Sequence, residues 1–318
     1  MRVLITGIAG FAGSHLADLA LAAGAEVAGT VKPGTTTENL ARVRDALRLL
    51  PCDLTEPGAV GRVIQDVRPD RVFHLAGAAV VLTSWERRAE VLRANLDGTF
   101  QLLEGVRQTP APCLIVSSAE VYGAVPEASQ PIVERQPINP VSPYALSKAC
   151  QELHARYYGG FEGLHVVIVR AFNHVGPRQS AGFLWPDVAR QVAAIEAGWK
   201  PPILELGPLG TRRDFTDVRD MVRAYWLLLE HAAPGEVCNA ASGRAVAISE
   251  VVDGFLARAK CPIEVRVVAA RQRPVDIPLL LGDASRLRAT TGWKPTIALE
   301  QSLQDVLDDW RRRVQSTP

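Results

Sequence analysis

The feature that most constrains the fold of this chain is a glycine-rich turn close to its N-terminus. Gly7, Gly10 and Gly13 form a GxxGxxG pattern that follows an apolar strand, Val3–Thr6, and opens an amphipathic helix, Phe11–Ala23. Such glycines permit a tight turn, approach of the backbone to a pyrophosphate, and close packing of helix on strand. The N–H groups at the helix start can then bind a diphosphate. An isolated glycine triplet is as often an ordinary turn, but its place between strand and helix predicts a dinucleotide site.

Short apolar runs alternate with amphipathic stretches through the first half of the chain. Strands that are apolar on both faces are typical of a parallel sheet covered by helices on both sides. We therefore predict an α/β fold with a Rossmann-type, doubly wound parallel sheet and right-handed crossovers. We predict further strands at Glu26–Val31, Arg48–Leu50, Arg71–Leu75, Leu114–Ser118 and Leu164–Arg170, and helices at Pro57–Val67, Ser84–Gln108 (capped by Ser84) and Pro143–Tyr158.

The pattern changes after residue 170, where segments rich in glycine, proline and polar residues begin. We predict a dinucleotide-binding domain over residues 1–170. Residues 171–318 should form mainly a smaller α/β lobe that binds substrate, with part of this half returning to the first domain. A cleft between two such units is a common ligand site. We predict helices there at Phe183–Ala197, Val218–His231, Ser249–Ala259 and Leu299–Arg312, and strands at Ile203–Leu206 and Glu264–Val268.

Composition and patterning exclude several classes of function. The 35 basic and 34 acidic side chains give a net charge of +1, which leaves no basic footprint for nucleic acid. No apolar run reaches the roughly 18 residues of a membrane span, and the N-terminus lacks the pattern of a signal peptide. The five cysteines show no metal-ligand spacing, so we expect no metal site and reduced thiols in a cytoplasmic protein.

The end of the second strand normally selects between the two nicotinamide dinucleotides. An acidic side chain there binds the ribose 2′-hydroxyl of NAD, but here the position falls close to Lys32. A lysine can neutralise a 2′-phosphate, so we expect NADP(H) to be favoured, and both NADP(H) and NAD(H) to be used if Lys32 is merely solvated. We expect Asp53 to meet the adenine, unless it only caps a turn. Further residues expected along the cofactor are Phe11, Ala12, Leu54, Leu75, Ala76 and Gly77.

Three side chains have the chemistry of carbonyl reduction. Tyr144 and Lys148 are spaced i, i+4, which places them on one face of the predicted helix. Ser118 ends the preceding strand, at the carboxyl edge of the sheet where the dinucleotide is also expected. A nearby ammonium favours a phenolate, so we expect Lys148 to lower the pKa of Tyr144 and make it an acid/base near neutral pH. Ser118 can polarise a substrate carbonyl.

The glycine turn, Ser118 and the Tyr-x-x-x-Lys spacing together resemble the extended short-chain dehydrogenase/reductases that act on nucleotide sugars. This resemblance covers nearly the whole chain. Within that family, several segments look most similar to reductases of GDP-4-dehydro-6-deoxy-D-mannose, which form GDP-D-rhamnose. The segments concerned are 142–144 (SPY), 172–177 (FNHVGP), 179–183 (QSAGF), 213–220 (RDFTDVRD), 273–274 (RP) and 281–283 (LGD).

The resemblance implies a GDP-sugar substrate that carries a diphosphate of its own. Arg213 would bind this diphosphate, unless it forms a structural pair with Asp214 or Asp217. Aromatic and apolar side chains would line the guanine pocket, although a core role is equally open for the aromatic candidate. The other candidates are Arg273 for the diphosphate, Asn173 for the diphosphate or the sugar, and Phe183 and Val188 for the guanine pocket.

Glu120, two positions after Ser118, leaves a second reaction open. The resembled family includes GDP-mannose 4,6-dehydratases, in which a glutamate at this spacing removes the C5 proton and helps to expel water at C6. Reductases of the family also keep this glutamate, so it does not separate the two reactions. Residues 213–220 do separate them, because dehydratases carry RDWGHAKD there, and RDFTDVRD favours the reductase. A nucleotide-sugar 4-epimerase is the third alternative.

Relatives of this kind often form dimers through a pair of helices from each copy. We expect a homodimer in which the predicted helices Ser84–Gln108 and Pro143–Tyr158 form a four-helix interface, with Ala94, Leu102 and Leu153 as candidate contacts. The expected partners are therefore a GDP-sugar and a second copy of the chain, with neither nucleic acid nor a membrane.

Overall fold

The computed structural model describes residues 1–268 and 277–315. Its strands are β1 (Arg2–Thr6), β2 (Glu26–Val31), β3 (Leu47–Pro51), β4 (Arg71–His74), β5 (Cys113–Ser118), β6 (Val166–Ala171), β7 (Asn173–Val175), β8 (Ile203–Leu206), β9 (Arg212–Asp217), β10 (Val237–Ala240), β11 (Ala245–Ala247), β12 (Glu264–Val267) and β13 (Leu279–Leu280). Its α-helices are α1 (Phe11–Ala22), α2 (Ala59–Val67), α3 (Arg88–Leu92), α4 (Gly98–Val106), α5 (Pro143–Gly160), α6 (Leu184–Glu196), α7 (Val218–His231), α8 (Ile248–Leu256), α9 (Ser285–Thr291) and α10 (Leu299–Gln315).

Seven strands form one parallel sheet in the order β3-β2-β1-β4-β5-β6-β10. The predicted α/β class with a doubly wound sheet is confirmed. Apolar side chains project from both faces of the sheet and form a hydrophobic core on each. Helices α1 and α7 cover one core, and α2, α4 and α5 cover the other. Strand order reverses between β1 and β4, and ligands bind at the carboxyl ends of strands beside such a reversal.

The second half of the chain builds a smaller unit and also completes the first one. Strands β7, β11 and β13 pair with β9, while β8 pairs with β12. Helices α6, α8 and α10 enclose a third core in this unit. Helix α7 and strand β10 return to the seven-stranded sheet. Across the two described stretches of the chain, no helix combines the length and apolarity that crossing a membrane requires.

The prediction of one continuous helix over Ser84–Gln108 is wrong. A 3₁₀ turn, α3, a π-helical turn at Arg93–Asp97 and α4 follow one another there. Asn95 lies in the π turn, fully buried, and its side chain bonds both backbone groups of Ala78. Ser84 does not cap a helix, because its hydroxyl donates to the Val81 carbonyl oxygen at 2.6 Å. The segment follows bonds to neighbouring loops rather than a regular helical repeat.

Two smaller expectations also need correction. Helix α2 begins at Ala59 and not at Pro57, with Gly58 in a left-handed conformation just before it. Leu102 is fully buried in the core between α4 and the sheet, so it cannot contact a second copy. Leu153, in contrast, is 61% exposed on α5.

Candidate active site

A cavity of about 720 Å³ opens at the carboxyl ends of the central strands and extends to the smaller unit. One wall is the glycine turn before α1, and a second is formed by the end of β5 and the first turns of α5. The third wall comes from β7, α6 and β9. The predicted site residues on these walls are Gly7, Gly10, Phe11, Ala12, Gly13, Leu75, Gly77, Ser118, Glu120, Tyr144, Lys148, Asn173, Phe183 and Arg213.

The glycine turn is too closely packed for any other residue. Gly7 has a φ of +71°, and a Cβ on it would lie 2.8 Å from the Cα of Ala76. A Cβ on Gly13 would lie 2.2 Å from the carbonyl oxygen of Gly7. Helix α1 therefore starts directly against the turn, with its first N–H groups toward the cavity wall. This geometry fits the pyrophosphate of a dinucleotide.

Lys32 and Asp53 meet beside the glycine turn rather than on the cavity wall. Lys32 Nζ lies 2.9 Å from Asp53 Oδ2, and its side chain is 66% exposed. The hydrogen bond from Lys32, aided by the N–H of Thr55, lowers the pKa of Asp53 to about 2. Leu54 is buried behind this pair, and Ala76 backs the glycine turn. Lys32, Asp53, Leu54 and Ala76 thus lie off the cavity lining, and their contacts with an adenosine stay a prediction.

Helix α5 aims Tyr144 and Lys148 at the end of β5. Ser142 starts the helix by accepting a hydrogen bond from the N–H of Ala145, and Pro143 occupies the first turn. Both side chains are more than nine-tenths buried, and both line the cavity together with Ser118. The spacing of the two residues therefore places an acid and a cation on one wall.

The expected lowering of the Tyr144 pKa is wrong for the protein as described. Burial raises the pKa of Tyr144 to about 12, and the Glu120 carboxylate raises it further, against the effect of a hydrogen bond with Ser118. Burial also lowers the pKa of Lys148 to about 8. The ammonium donates to the Val116 carbonyl oxygen at 2.8 Å and not to the phenol. Tyr144 is thus held as a protonated acid.

Arg213 lines the far side of the cavity, as does Arg190 of α6. Arg213 is buried, and its Nη1 donates to the Arg212 carbonyl oxygen at 2.9 Å. The alternative partners are engaged elsewhere. Asp214 accepts from Ser242 Oγ at 2.6 Å, and Asp217 pairs with Arg219 at 2.8 Å. Arg213 thus lines the cavity while its Nη1 is held by the backbone of its neighbour.

The other substrate candidates divide between the wall and the interior. Asn173 and Phe183 are half-buried and line the cavity. Val188 does not line it, because α6 turns this side chain into the hydrophobic core, where it is fully buried. His174 also lines the cavity, where it stacks on Phe11 with ring centroids 5.7 Å apart and its Nδ1 lies 3.2 Å from the Phe172 carbonyl oxygen. The remaining candidate, Arg273, lies outside the described residues.

Two residues near the site were not singled out by the sequence. Tyr225 on α7 lines the cavity, and its buried hydroxyl has no hydrogen-bond partner among residues 1–268 and 277–315. Gln151 lies three positions after Lys148 and accepts a hydrogen bond from its ammonium at 2.8 Å. The helical spacing of Gln151 was a usable signal. The regular apolar pattern around Tyr225 gave none.

Fold and site together define a dinucleotide-dependent oxidoreductase of the short-chain type. The parallel sheet, the glycine turn and the Ser-Tyr-Lys set meet at one carboxyl edge. In the part of the chain that the structure describes, no cluster of histidine, cysteine and acidic residues could hold a metal ion.

The comparisons with known proteins identify the family. The sequence model of the GDP-mannose 4,6 dehydratase family matches residues 4–306, and the chain belongs to this family. The chain is 36% identical to GDP-6-deoxy-D-mannose reductase of Pseudomonas aeruginosa over 98% of both chains. It is 27% identical to human GDP-mannose 4,6 dehydratase, over 96% of this chain and 90% of the other.

Solved structures of two relatives share the fold over almost their whole length. RMD from Pseudomonas aeruginosa, complexed with NADPH, superimposes with a TM-score of 0.84 at 35% identity, covering 98% of this chain and 99% of that one. UDP-glucose 4-epimerase from Thermus thermophilus, complexed with NAD, gives a TM-score of 0.88 at 32% identity with the same coverage. Reductases, dehydratases and epimerases of nucleotide sugars thus share this architecture.

Proposed function

We propose that the protein reduces the C4 keto group of GDP-4-dehydro-6-deoxy-D-mannose with NADPH, giving GDP-D-rhamnose. The observation that carries this proposal is that Ser118, Tyr144 and Lys148 lie together on the wall of the cavity that Arg213 also lines. A reductase must protonate an alkoxide, whereas a 4-epimerase or dehydratase must first remove a proton from a hydroxyl. The relative that is 36% identical is named for a GDP-6-deoxy-D-mannose reductase activity.

The residues around Tyr144 suit protonation of the developing alkoxide. When bound, NADPH supplies the hydride. Tyr144 would donate its phenolic proton to the C4 oxygen as charge builds up there. Ser118 Oγ accepts the N–H of Glu120 at 3.2 Å, so its own proton can turn to the same oxygen and share the charge. Lys148 would hold the nicotinamide ribose through an N–H not used by the protein.

The cofactor preference rests on the outer edge of the site. An exposed ion pair contributes only about 0–1 kcal/mol to stability, so Lys32 can leave Asp53 for a 2′-phosphate at little cost. A phosphate would then be bound by a point charge, while Asp53 would become free for the adenine. This supports NADP(H), with NAD(H) as the alternative, and the structure of RMD complexed with NADPH agrees with it.

The substrate would occupy the cavity between β7, α6 and β9. We propose that Arg213 binds the diphosphate, since a guanidinium can pair with two phosphate oxygens at once. Asn173 would bind the diphosphate or the hexose, and Phe183 would stack on the guanine. Direct binding measurements with GDP and UDP test this assignment, because Arg213→Lys should weaken both nucleotides and Phe183→Ala should weaken GDP more.

One assay tests the proposed function. Purified protein is mixed with GDP-4-dehydro-6-deoxy-D-mannose and NADPH, and nicotinamide absorbance is followed. We expect consumption that stops when the keto sugar is exhausted, and NMR of the product then separates rhamnose from talose. No consumption of NADPH would contradict the proposal.

A dehydratase is the second candidate, and Glu120 is the observation that favours it. Its carboxylate lines the cavity close enough to Tyr144 to raise the pKa of the phenol. A carboxylate there could remove a proton from C5 of the sugar. Conversion of GDP-mannose to the keto sugar without added reductant would establish this reaction. Tightly bound oxidised cofactor in the purified protein would favour a dehydratase or an epimerase over a reductase, which must exchange cofactor in each turnover.

We propose a homodimer in the cytoplasm as the working state. Large apolar side chains of α5 and α4 form an exposed face, comprising Leu146, Leu153, Tyr157, Phe161 and Phe100. A second copy of the same face would bury them, and light scattering in solution measures the mass directly. All five cysteines are free thiols, which fits a reducing compartment.

A further inference from the structure

A line of buried hydrogen bonds runs behind Lys148, away from the cavity. The ammonium donates to the carbonyl oxygen of Val116 and to Oε1 of Gln151, both at 2.8 Å. Gln151 is fully buried on the next turn of α5. We infer that Gln151 is a positioning residue, which holds the Lys148 ammonium so that its remaining N–H points toward the dinucleotide ribose. This inference rests on the proposed function and extends it.

The hydrogen bonds beyond Gln151 fix which way its amide faces. Gln151 Nε2 donates to the hydroxyl of Thr99 at 2.6 Å, and that hydroxyl donates its single proton to the Asn95 carbonyl oxygen at 2.7 Å. His74 Nε2, at 2.9 Å from the same oxygen, must therefore be the protonated ring nitrogen. His74 Nδ1 then accepts from Thr6 Oγ1 at 2.7 Å. Every polar group of the line has a partner.

With the hydrogen bonds in this order, Gln151 can only act as an acceptor toward Lys148. A flipped amide would set its N–H groups against the ammonium, which is donor-only, and would leave the Thr99 hydroxyl facing a second acceptor. Oε1 of Gln151 is thus held toward Lys148 by a line of bonds anchored in β4 and β1. The line ends at Thr6, immediately before the glycine turn, so the ribose and pyrophosphate ends of the site share one rigid support.

The carbonyl groups matter because, within residues 1–268 and 277–315, no acidic side chain forms an ion pair with the Lys148 ammonium. His74 faces it from β4 and is neutral, since burial lowers its pKa to about 3. Tyr144 is one turn away on α5 and is also neutral. Glu152, one turn in the other direction, is bound by Arg170 at 2.6 Å. Glu120 lies beyond Ser118 on the turn after β5. The two carbonyl dipoles therefore offset part of the lowering of the Lys148 pKa that burial causes.

Two substitutions of Gln151 should move the reaction's pH dependence in opposite directions. Gln151→Leu removes an acceptor, so the alkaline fall of kcat/KM should move down by about one pH unit. Gln151→Glu places a carboxylate against the ammonium, so the same fall should move up. A residue that serves only packing would give shifts of the same sign, or none, in the two variants.

Cofactor binding gives a readout that does not depend on turnover. Gln151→Leu should weaken NADPH about tenfold while leaving 2′,5′-ADP, which lacks the nicotinamide riboside, unchanged. Gln191→Leu is the matched control. Gln191 is equally buried and bonds Glu205, but it lies on α6, away from Lys148. Its variant should lower thermal stability and move neither the pH profile nor NADPH binding.

The outcomes separate this inference from the proposed function. If the wild type does not reduce the keto sugar but Gln151→Leu still weakens NADPH selectively, the function is wrong and the positioning role stands. Equal weakening of NADPH and 2′,5′-ADP, or unchanged affinity for both, overturns the positioning role. If the enzyme is active and the alkaline fall of kcat/KM stays at the same pH in both Gln151 variants, the positioning role is also overturned.

Discussion

At the scale of single residues, Tyr144 is set apart by its place on the cavity wall together with Ser118 and Lys148. Its phenol is buried, and burial raises its pKa to about 12, so at neutral pH it carries the proton that an alkoxide needs. General acid catalysis of this kind contributes roughly 10²- to 10⁴-fold to rate. Tyr144→Phe should therefore lower kcat by about that factor and leave NADPH affinity within about twofold, as measured by steady-state kinetics and fluorescence titration.

Tyr157 provides the control on the same helix. It is half-exposed, and its hydroxyl donates to Glu162 at the end of α5, far from the cavity. Tyr157→Phe should keep the wild-type kcat. Near-complete turnover in Tyr144→Phe would mean that another group, such as Ser118 or a water molecule, protonates the substrate.

The residues of the site could be predicted where position alone decides. A strand end fixes Ser118 at the sheet edge, and a four-residue spacing fixes Tyr144 and Lys148 on one helix face. The pKa of Tyr144 could not be predicted, because it depends on burial and on the hydrogen bonds that the Lys148 ammonium donates to Val116 and Gln151 instead of to the phenol. The prediction that Val188 lines the guanine pocket was wrong for a related reason. A helix with apolar residues on two sides does not reveal which side faces a cavity.

At the scale of elements, the start of α1 leaves no room for a side chain at Gly13. A Cβ on Gly13 would lie 2.2 Å from the Gly7 carbonyl oxygen, so Gly13→Ala must push the helix away from β1. The backbone N–H groups of the first turn of α1 would then no longer point at the pyrophosphate. We therefore expect NADPH affinity to fall at least tenfold, as measured by fluorescence titration. Gly61→Ala is the control, because nothing lies within 4 Å of that Cβ on α2. It should leave binding unchanged and stabilise the helix slightly.

A normal NADPH affinity in Gly13→Ala would mean that the turn is not the pyrophosphate site.

The positions of most strands and helices could be predicted to within a few residues, because the apolar pattern is strong in a sheet covered on both faces. The segment from Leu82 to Val106 was not. Its π turn follows the tertiary bonds of Asn95 to Ala78, and a periodic pattern carries no information about such bonds.

At the scale of the whole molecule, the second half of the chain closes both units. Helix α7 and strand β10 complete the seven-stranded sheet, while β9 carries Arg213 to the cavity. The sequence indicates the change of pattern after residue 170, but not which later elements return. Strand β10 has four residues, too few for periodicity to assign it to either sheet. The cavity walls expected to bind the cofactor and the substrate therefore belong to one continuously packed structure.

Three histidines in that packing have lowered pKa values, which makes the stability of the whole chain sensitive to acid. Burial lowers the pKa of His15, His74 and His174, and the value for His74 falls to about 3. An unfolded histidine binds a proton below about pH 6.5. Below that pH the unfolded chain binds more protons than the folded one, so stability present above pH 6.5 is lost as the pH falls toward 3.

For His74 alone, the loss between pH 7 and pH 5 should be about 2 kcal/mol. Urea unfolding at the two pH values measures it. We expect His74→Gln to be less stable than the wild type at pH 7 but to lose about 2 kcal/mol less on acidification. His231→Gln, an exposed position at the end of α7, should lose as much as the wild type. If His74→Gln and the wild type lose the same amount, His74 is not the buried neutral base, and the line of hydrogen bonds from Thr6 to Lys148 must run in another order.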